Sequence, residues 1–227
     1  MRIKITDRIE YIAASENPLS ADVVFVKGND SIWIFDVGES DEAYEAIAEL
    51  LKDNQVNIIL SHFHRDHMWN LERIAAIPTV DRCVNLYVSK HTYKYAKTGI
   101  IVEDDVVIDD GVKIHIFPIS ATHSKGCLCL EVDDEITFLG DAIYPAYKGR
   151  GEGDEYIILE NRRKYQKQGK AYNVQLLREQ IETLKSLKSD QLFMAHEVRP
   201  IVKRKIIIRF LESIYDKREP GEPFIFQ

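Results

Sequence analysis

The segment His62-Phe63-His64-Arg65-Asp66-His67 places four side chains that can bind a metal within six residues. It directly follows the apolar run Val56–Leu60, which is typical of a buried strand. Imidazole nitrogens and carboxylate oxygens are ligands that zinc and similar cations prefer. A histidine-rich polar turn is the alternative interpretation, but four such groups at this spacing favour a metal site.

Further ligands are expected where other predicted strands end. His123 lies in a polar loop between two apolar strands, and His196 follows the apolar run Leu192–Met194. Asp141 follows an apolar strand whose last residue, Gly140, permits a sharp turn. Each position alone is weak evidence, since polar residues are common in loops. Together they place three more ligands at three strand ends.

Other residues of metal-binding type are interpreted as structural. His91 falls within a predicted helix, and His115 alternates inside a predicted strand. Cys127 and Cys129 face one side of a predicted strand and are expected to be small core residues, although soft metal ligands are the alternative. With Cys83 the cysteines number three, too few for a disulfide framework, which predicts a reducing compartment.

Length and composition predict one domain over residues 1–227, because 45% of the residues are hydrophobic and no linker interrupts the chain. The first residues lack the roughly 7 to 15 residue apolar stretch of a secretory signal. No run approaches the roughly 20 apolar residues of a membrane span. A cytoplasmic protein without membrane contact is expected.

Charge is unevenly distributed along the chain. Residues 148–218 carry 17 Lys+Arg against 10 Asp+Glu, a net charge of +7. The rest of the chain therefore carries −14, which gives the overall net charge of −7. The basic stretch can be interpreted as the solvated faces of helices, which is the default interpretation. Its functional interpretation is that it attracts an anionic small-molecule substrate.

Short β-branched and aromatic runs predict strands, and apolar residues at helical spacing predict helices. The predicted strands span Ile3–Ile5, Ile9–Ala13, Val23–Val26, Ser31–Val37, Val56–Leu60, Leu86–Val88, Val106–Ile108, Val112–Phe117, Cys127–Val132, Ile136–Leu139 and Leu192–Met194. The predicted helices span Glu42–Leu51, Trp69–Ala76, Lys90–Lys97, Val174–Leu187 and Val202–Tyr215. The charged, Tyr- and Gly-rich stretch 144–172 is predicted to be an insertion that covers the substrate.

The ordered ligand set resembles the metallo-β-lactamase-fold hydrolase superfamily across most of the chain. The residues that carry the resemblance are His62-x-His64-x-Asp66-His67, then His123, Gly140-Asp141 and His196. The resemblance implies an α/β (α+β) fold, a four-layer αβ/βα sandwich of two mixed sheets flanked by helices, with the site at one edge.

The same resemblance implies two metal ions, expected to be Zn²⁺ with Mn²⁺ or Fe²⁺ as alternatives. One ion would be held by His62, His64 and His123 and the other by Asp66, His67 and His196, with Asp141 bridging them. In an extended segment His62 and His64 also point to the same side. Two cations about 3.5 to 4 Å apart can share a hydroxide that acts as the nucleophile in hydrolysis.

Some branches of the superfamily are disfavoured by their known ligands and domains. Antibiotic-degrading members lack the bridging carboxylate and are secreted, and flavodiiron reductases usually have a glutamate where His64 stands and a fused flavin domain. The set is similar to glyoxalase II, the acyl-homoserine lactonases and the phosphodiesterase and ribonuclease Z branches. Bulky Met68 and Trp69 after the motif, and Ala195 and Glu197 around the last histidine, depart from the glycines common in these relatives and disfavour glyoxalase II itself.

The prediction is therefore a dinuclear zinc hydrolase that attacks a small ester, thioester or lactone with a metal-bridging hydroxide. Asp66 is expected to orient the attacking water. Tyr144, three residues after Asp141, resembles the lactonase tyrosine that donates to the substrate carbonyl and could stabilise an oxyanion, although a tyrosine packed against the loop is an equal alternative.

Substrate contacts are predicted for four side chains outside the ligand set: Trp69, Arg150, Arg162 and Arg163. Because arginines bind phosphate oxygens in a bidentate manner, they motivate the leading alternative, a phosphodiesterase or nuclease-type enzyme. A non-catalytic metal-binding protein is the third hypothesis. Nucleic acid is a less favoured partner, and the oligomeric state is not predicted.

Overall fold

Two mixed β-sheets lie face to face in the computed structural model, which describes residues 1–78, 84–121, 123–143, 172–197 and 199–225. The first sheet contains seven strands, with the spatial order β1-β2-β5-β6-β7-β8-β9. They are β1 (Ile3–Lys4), β2 (Ile9–Ile12), β5 (Val23–Lys27), β6 (Ser31–Phe35), β7 (Gln55–Ile59), β8 (Val84–Val88) and β9 (Ile100–Ile101). The pairs from β1 to β6 are antiparallel and those from β6 to β9 are parallel.

The second sheet contains six strands, with the spatial order β10-β11-β12-β13-β15-β16. They are β10 (Val106–Asp109), β11 (Lys113–Ile119), β12 (Cys127–Val132), β13 (Ile136–Phe138), β15 (Gln191–Phe193) and β16 (Ile201–Lys203). Only the β13–β15 pair of this sheet is parallel. Two small antiparallel pairs complete the strands of the described chain: β3 (Ser15–Glu16) with β4 (Leu19–Ser20), and β14 (Tyr172–Asn173) with β17 (Phe224–Ile225).

Helices cover the outer face of each sheet. Those beside the first sheet are α1 (Asp41–Leu50), the single turn α2 (Arg65–Met68), α3 (Asn70–Ala75) and α4 (Lys90–Ala96), and those beside the second are α5 (Val174–Ser186) and α6 (Arg204–Tyr215). Side-chain caps start three of them, because Ser40, Ser89 and Asn173 accept hydrogen bonds from backbone N–H groups of the first turn. No helix within the described ranges is both long and apolar enough to span a bilayer.

Strand alternation produces the layers. In β5, Val24 and Val26 contribute to the core between the sheets, whereas Val23 and Phe25 pack under the helices of the first sheet. In β12, Leu128 and Leu130 face the central core and the two cysteines, Cys127 and Cys129, face the helices of the second sheet. Strands that are apolar on both faces must be covered on both faces. The predicted four-layer sandwich of two mixed sheets is confirmed.

The last helix was predicted to start two residues too early. Val202 and Lys203 were expected to start the last helix, but they lie in β16, which pairs with β15 through Leu192 and Val202. The apolar run there continues into the helix, so its pattern alone does not separate strand from helix. Strands β3, β4, β9, β14 and β17 were not predicted. The predicted cover segment 144–172 lies outside the described residues except for Tyr172, which is in β14.

Candidate metal centre

The ends of four strands bring the predicted ligands to one edge of the sandwich. After β7 the chain passes through His62 to His64, which is extended with φ −69° and ψ 148°, and then turns into α2, which carries Asp66 and His67. The second sheet supplies the rest: His123 from the β11–β12 connection, Asp141 after β13 and His196 after β15. The site is therefore built from both sheets.

The seven predicted ligands form two groups that share one residue. His62, His64, His123 and Asp141 make the first group, and Asp66, His67, His196 and Asp141 make the second. Within each group the atoms that could bind a cation all lie within 4.8 Å of one another. This is the division that the resemblance implies.

Asp141 stands between the groups. Its Oδ2 lies 3.3 Å from His123 Nε2, while its Oδ1 lies 3.3 Å from His67 Nε2 and 3.6 Å from His196 Nε2. The carboxylate is 4% exposed, so water contributes little to its solvation. Each of its oxygens faces a different cluster of imidazoles, which is the geometry of a bridging ligand.

Other ligand atoms within each group are also close enough to bind the same cation. His64 Nδ1 and His123 Nε2 are 2.9 Å apart in the first group. In the second, Asp66 Oδ2 lies 3.0 Å from His196 Nε2 and 3.5 Å from His67 Nε2.

Two buried atoms in the described part of the chain indicate that the centre fits a cation. His62 Nε2 and Asp141 Oδ1 are buried and have no hydrogen-bond partner of acceptable geometry. Leaving a buried polar atom unpaired costs about 1 to 3 kcal/mol. One orphaned atom belongs to the first group and the other to the shared residue. A metal bound in each group would satisfy both.

A buried network behind the site fixes which imidazole nitrogens face it. Asp36 accepts hydrogen bonds from the Ser61 backbone N–H and hydroxyl, each at 2.7 Å, and lies 2.7 Å from His67 Nδ1. The Ser61 hydroxyl, whose proton goes to Asp36, accepts from His62 Nδ1 at 3.0 Å. Both histidines then carry a proton on Nδ1 and direct the lone pair of Nε2 into the centre, the arrangement that metal-binding histidines use.

A second support holds the backbone of His196. This residue has φ +65°, a conformation that is strained for a residue with a side chain, and its N–H donates to Asp22 Oδ2 at 2.8 Å. Asp22 also accepts from the Ala14 N–H at 3.0 Å. Burial raises the pKa of Asp22 above its usual value, against the effect of these hydrogen bonds.

The histidines of the two groups differ in their protonation. Burial lowers the pKa of His62 well below its usual range and lowers that of His123 to about 4, so both are neutral at pH 7 as ligands must be. Burial alone would also lower the pKa of His67, but the carboxylates of Asp141 and Asp36 raise it well above its usual value. The second group therefore attracts positive charge, and a metal ion bound there would have to displace a proton from His67.

Of the other predicted site residues, Trp69 lies in the described part of the chain. Trp69 is 42% exposed on the short stretch after α2, with the Arg65 guanidinium 3.7 Å above its ring. Tyr144, Arg150, Arg162 and Arg163 lie outside the described residues. His91 and His115 lie in α4 and β11, the kinds of element predicted for them, and His115 contacts Glu131.

Sequence reasoning missed the supporting residues Asp22, Asp36 and Ser61. Asp36 had a usable signal, since it is a carboxylate inside the otherwise apolar end of the predicted strand Ser31–Val37. Ser61 and Asp22 have no local signal, because a serine beside the motif and an aspartate before β5 are ordinary residues.

Comparison with known proteins agrees with this geometry. The family model described as the metallo-beta-lactamase superfamily matches residues 17–196. The chain belongs to this superfamily. The comparison with curated proteins gives no match.

Several solved structures share the fold at low sequence identity. The DIM-1 metallo-beta-lactamase is 16% identical with a TM-score of 0.66, covering 95% of this chain and 96% of that one. An archaeal metallo-beta-lactamase superfamily protein from Sulfolobus tokodaii is 19% identical with a TM-score of 0.61, covering 96% and 90%. A flavo di-iron protein mutant from Thermotoga maritima is 17% identical with a TM-score of 0.67, covering 97% of this chain but 62% of that one. These likenesses concern the fold.

Proposed function

We propose that the protein is a dinuclear metal-dependent hydrolase that acts on a small ester, thioester or lactone, with zinc as the metal. The observation that supports this most directly is the position of Asp141, whose two oxygens face two separate groups of imidazoles. A purely structural zinc site is normally closed by four ligands around one ion. A shared carboxylate between two groups is instead typical of a catalytic pair.

The donor set suits zinc. Five of the seven residues are histidines, and imidazole binds zinc as well as iron, whereas a site for magnesium or calcium would consist of oxygen ligands. When bound, two such cations would supply Lewis acidity and an activated water at neutral pH. Three of the structures with the same fold are described as di-iron proteins, two of them as mutants of a flavo di-iron protein, so iron is the alternative metal that an assay must distinguish.

Within this proposal Asp66 acts on the attacking water. Its side chain is 16% exposed, against 4% for Asp141, so it is the more accessible of the two carboxylates. Its Oδ2 is held 3.0 Å from His196 Nε2, which fixes its direction. A carboxylate so placed can orient a water molecule and accept its proton.

Metal content is the first test. Protein expressed with a full supply of metals should contain about two ions per chain, mainly zinc, by elemental analysis. A content near zero would reject the centre. Two iron ions per chain would support the dinuclear geometry but contradict the choice of zinc.

The reaction class is tested with two chromogenic substrates. Turnover of p-nitrophenyl acetate supports acyl hydrolysis, and turnover of only bis-p-nitrophenyl phosphate would establish the phosphodiesterase alternative. Absence of both, with two metals bound, would favour a non-catalytic metal protein.

The role of Asp66 is tested by substitution. Asp66→Ala should lower turnover by about 100- to 10,000-fold, because both a ligand and the proton acceptor are lost. Asp53→Ala, at an exposed aspartate in the loop after α1, is the matched control and should keep full activity. Circular dichroism should show that both variants are folded. Retained activity in Asp66→Ala would contradict the mechanism.

A further inference from the structure

Three aromatic side chains outside the ligand set form a cluster beside the metal centre. The rings of Phe63 and Tyr95 are stacked, with centroids 4.4 Å apart and an angle of 11° between their planes. The His91 ring packs against both, 5.1 Å from Phe63 and 6.0 Å from Tyr95. We call Phe63, His91 and Tyr95 the aromatic platform.

The platform is continuous with the first group of ligands. Phe63 lies between His62 and His64 in the sequence, and its ring centroid is 4.8 Å from that of His64 and 6.3 Å from that of His62. The two other members come from α4, one turn apart on the same side of the helix. A substrate that reaches the centre from this side must pass along these rings.

The platform is open to a ligand. Tyr95 is 51% exposed although it is stacked on one side, while Phe63 and His91 are half-buried. Among the described residues, no hydrogen bond is found for the ring nitrogens of His91, whose ring packs against Phe63 and Tyr95. An exposed aromatic surface with a polar edge, next to a reactive centre, is the usual composition of a small-molecule site.

We propose that the aromatic platform determines substrate specificity by binding a planar ring of the substrate beside the metal centre. This inference rests on the proposed function. The physical reason is that the flat, exposed face of Tyr95 offers stacking to another planar ring. A saturated ring of similar size can bury area there but cannot stack.

The competing explanation is that the stack only anchors α4 to the ligand segment. It makes a different prediction, because an anchor has no preference between planar and saturated ligands. Two matched pairs of compounds separate the explanations: methyl phenylacetate with methyl cyclohexylacetate as substrates, and the two free carboxylates as product-like ligands. The carboxylate pair is measured by calorimetric titration of the metal-loaded protein, which requires no turnover.

Wild-type protein should prefer the phenyl compound of each pair by about threefold to tenfold, the range expected for one aromatic contact. Tyr95→Leu should reduce both ratios to near one while the protein keeps its metals. Tyr93→Leu is the control, since Tyr93 lies on the same helix, is 36% exposed and has no ring contact within the described residues. It should leave both ratios unchanged.

The outcomes distinguish this inference from the proposed function. Binding with a phenyl preference but no ester turnover would support the platform and reject the hydrolase. Turnover without a phenyl preference, or an unchanged preference in Tyr95→Leu, would overturn the platform and leave the hydrolase standing. Binding of neither carboxylate to the metal-loaded protein would also overturn the platform.

Discussion

Substitution of Gly140 by alanine should damage the metal centre although the residue carries no side chain of its own. Gly140 has φ +53°, and a Cβ atom there would lie 2.7 Å from Ser61 Cβ and 2.8 Å from Ser61 Oγ. Ser61 cannot move freely, because its hydroxyl and N–H are both bonded to buried Asp36. The alanine must therefore displace either this network or the backbone that carries Asp141.

The magnitude follows from two contributions. A residue with a side chain in the left-handed region costs about 1 to 2 kcal/mol. Overpacking in a well-packed interior adds about 1 to 3 kcal/mol. Gly140→Ala should therefore lower the free energy of unfolding by about 2 to 5 kcal/mol. Displacement of a group that orients a ligand should weaken metal affinity about 10- to 100-fold.

Gly221→Ala is the matched control. Gly221 also has positive φ, +84°, but a Cβ atom there would meet nothing within 4 Å, so only the backbone contribution applies. Urea unfolding of both metal-free variants, followed by competition of the metal-loaded proteins with a chromogenic chelator, measures stability and affinity separately. Equal destabilisation of the two variants, with metal affinity unchanged in Gly140→Ala, would refute the reasoning.

Two further predictions concern acid and metal removal. Hydrogen bonds from His115 and two backbone N–H groups outweigh the effect of burial and lower the pKa of Glu131 from 4.5 to about 2. This shift corresponds to about 3 kcal/mol of folding stability at neutral pH. This contribution to stability is present above pH 4.5 and is lost as the pH falls towards 2. Urea unfolding should therefore show that Glu131→Gln has a lower free energy of unfolding than the wild type at pH 7, and that the difference narrows in acid. A difference that does not change with pH would contradict this prediction. Removal of metal by a chelator should lower the melting temperature and leave the far-ultraviolet circular dichroism unchanged. Loss of secondary structure would contradict a site whose geometry exists before the metal binds.

The residues of the candidate centre could be predicted from the sequence because their chemistry and their positions agree. Histidines and aspartates at the ends of apolar strands converge whenever those strands share an edge, and this needs only strand boundaries accurate to a few residues. Asp66 and His67 depend further on the turn into α2, which the sequence indicates only as the end of extended structure. The resemblance to a known ligand order supplied the division into two groups.

The supporting residues Asp22, Asp36 and Ser61 and the start of the last helix could not be predicted in the same way. Asp36 acts through contacts with residues 25 and 31 positions further along the chain, and local patterns hold no information about such pairs. Val202 joined β16 because Leu192 pairs with it across the sheet, which overrides a local apolar pattern that also suits a helix. In both cases the decisive partner is distant in sequence.

The hydrogen bonds between the sheets explain why the centre is expected to exist before metal binds. The Leu128 N–H donates to the Ser61 carbonyl at 2.8 Å, and the His196 N–H donates to Asp22. These contacts join the second sheet to the first directly behind the ligands. They involve backbone donors and buried acceptors, which do not depend on a cation. The ligand geometry is thus set by the packing of the sandwich, and metal affinity should respond to substitutions in these supports even where no ligand is changed.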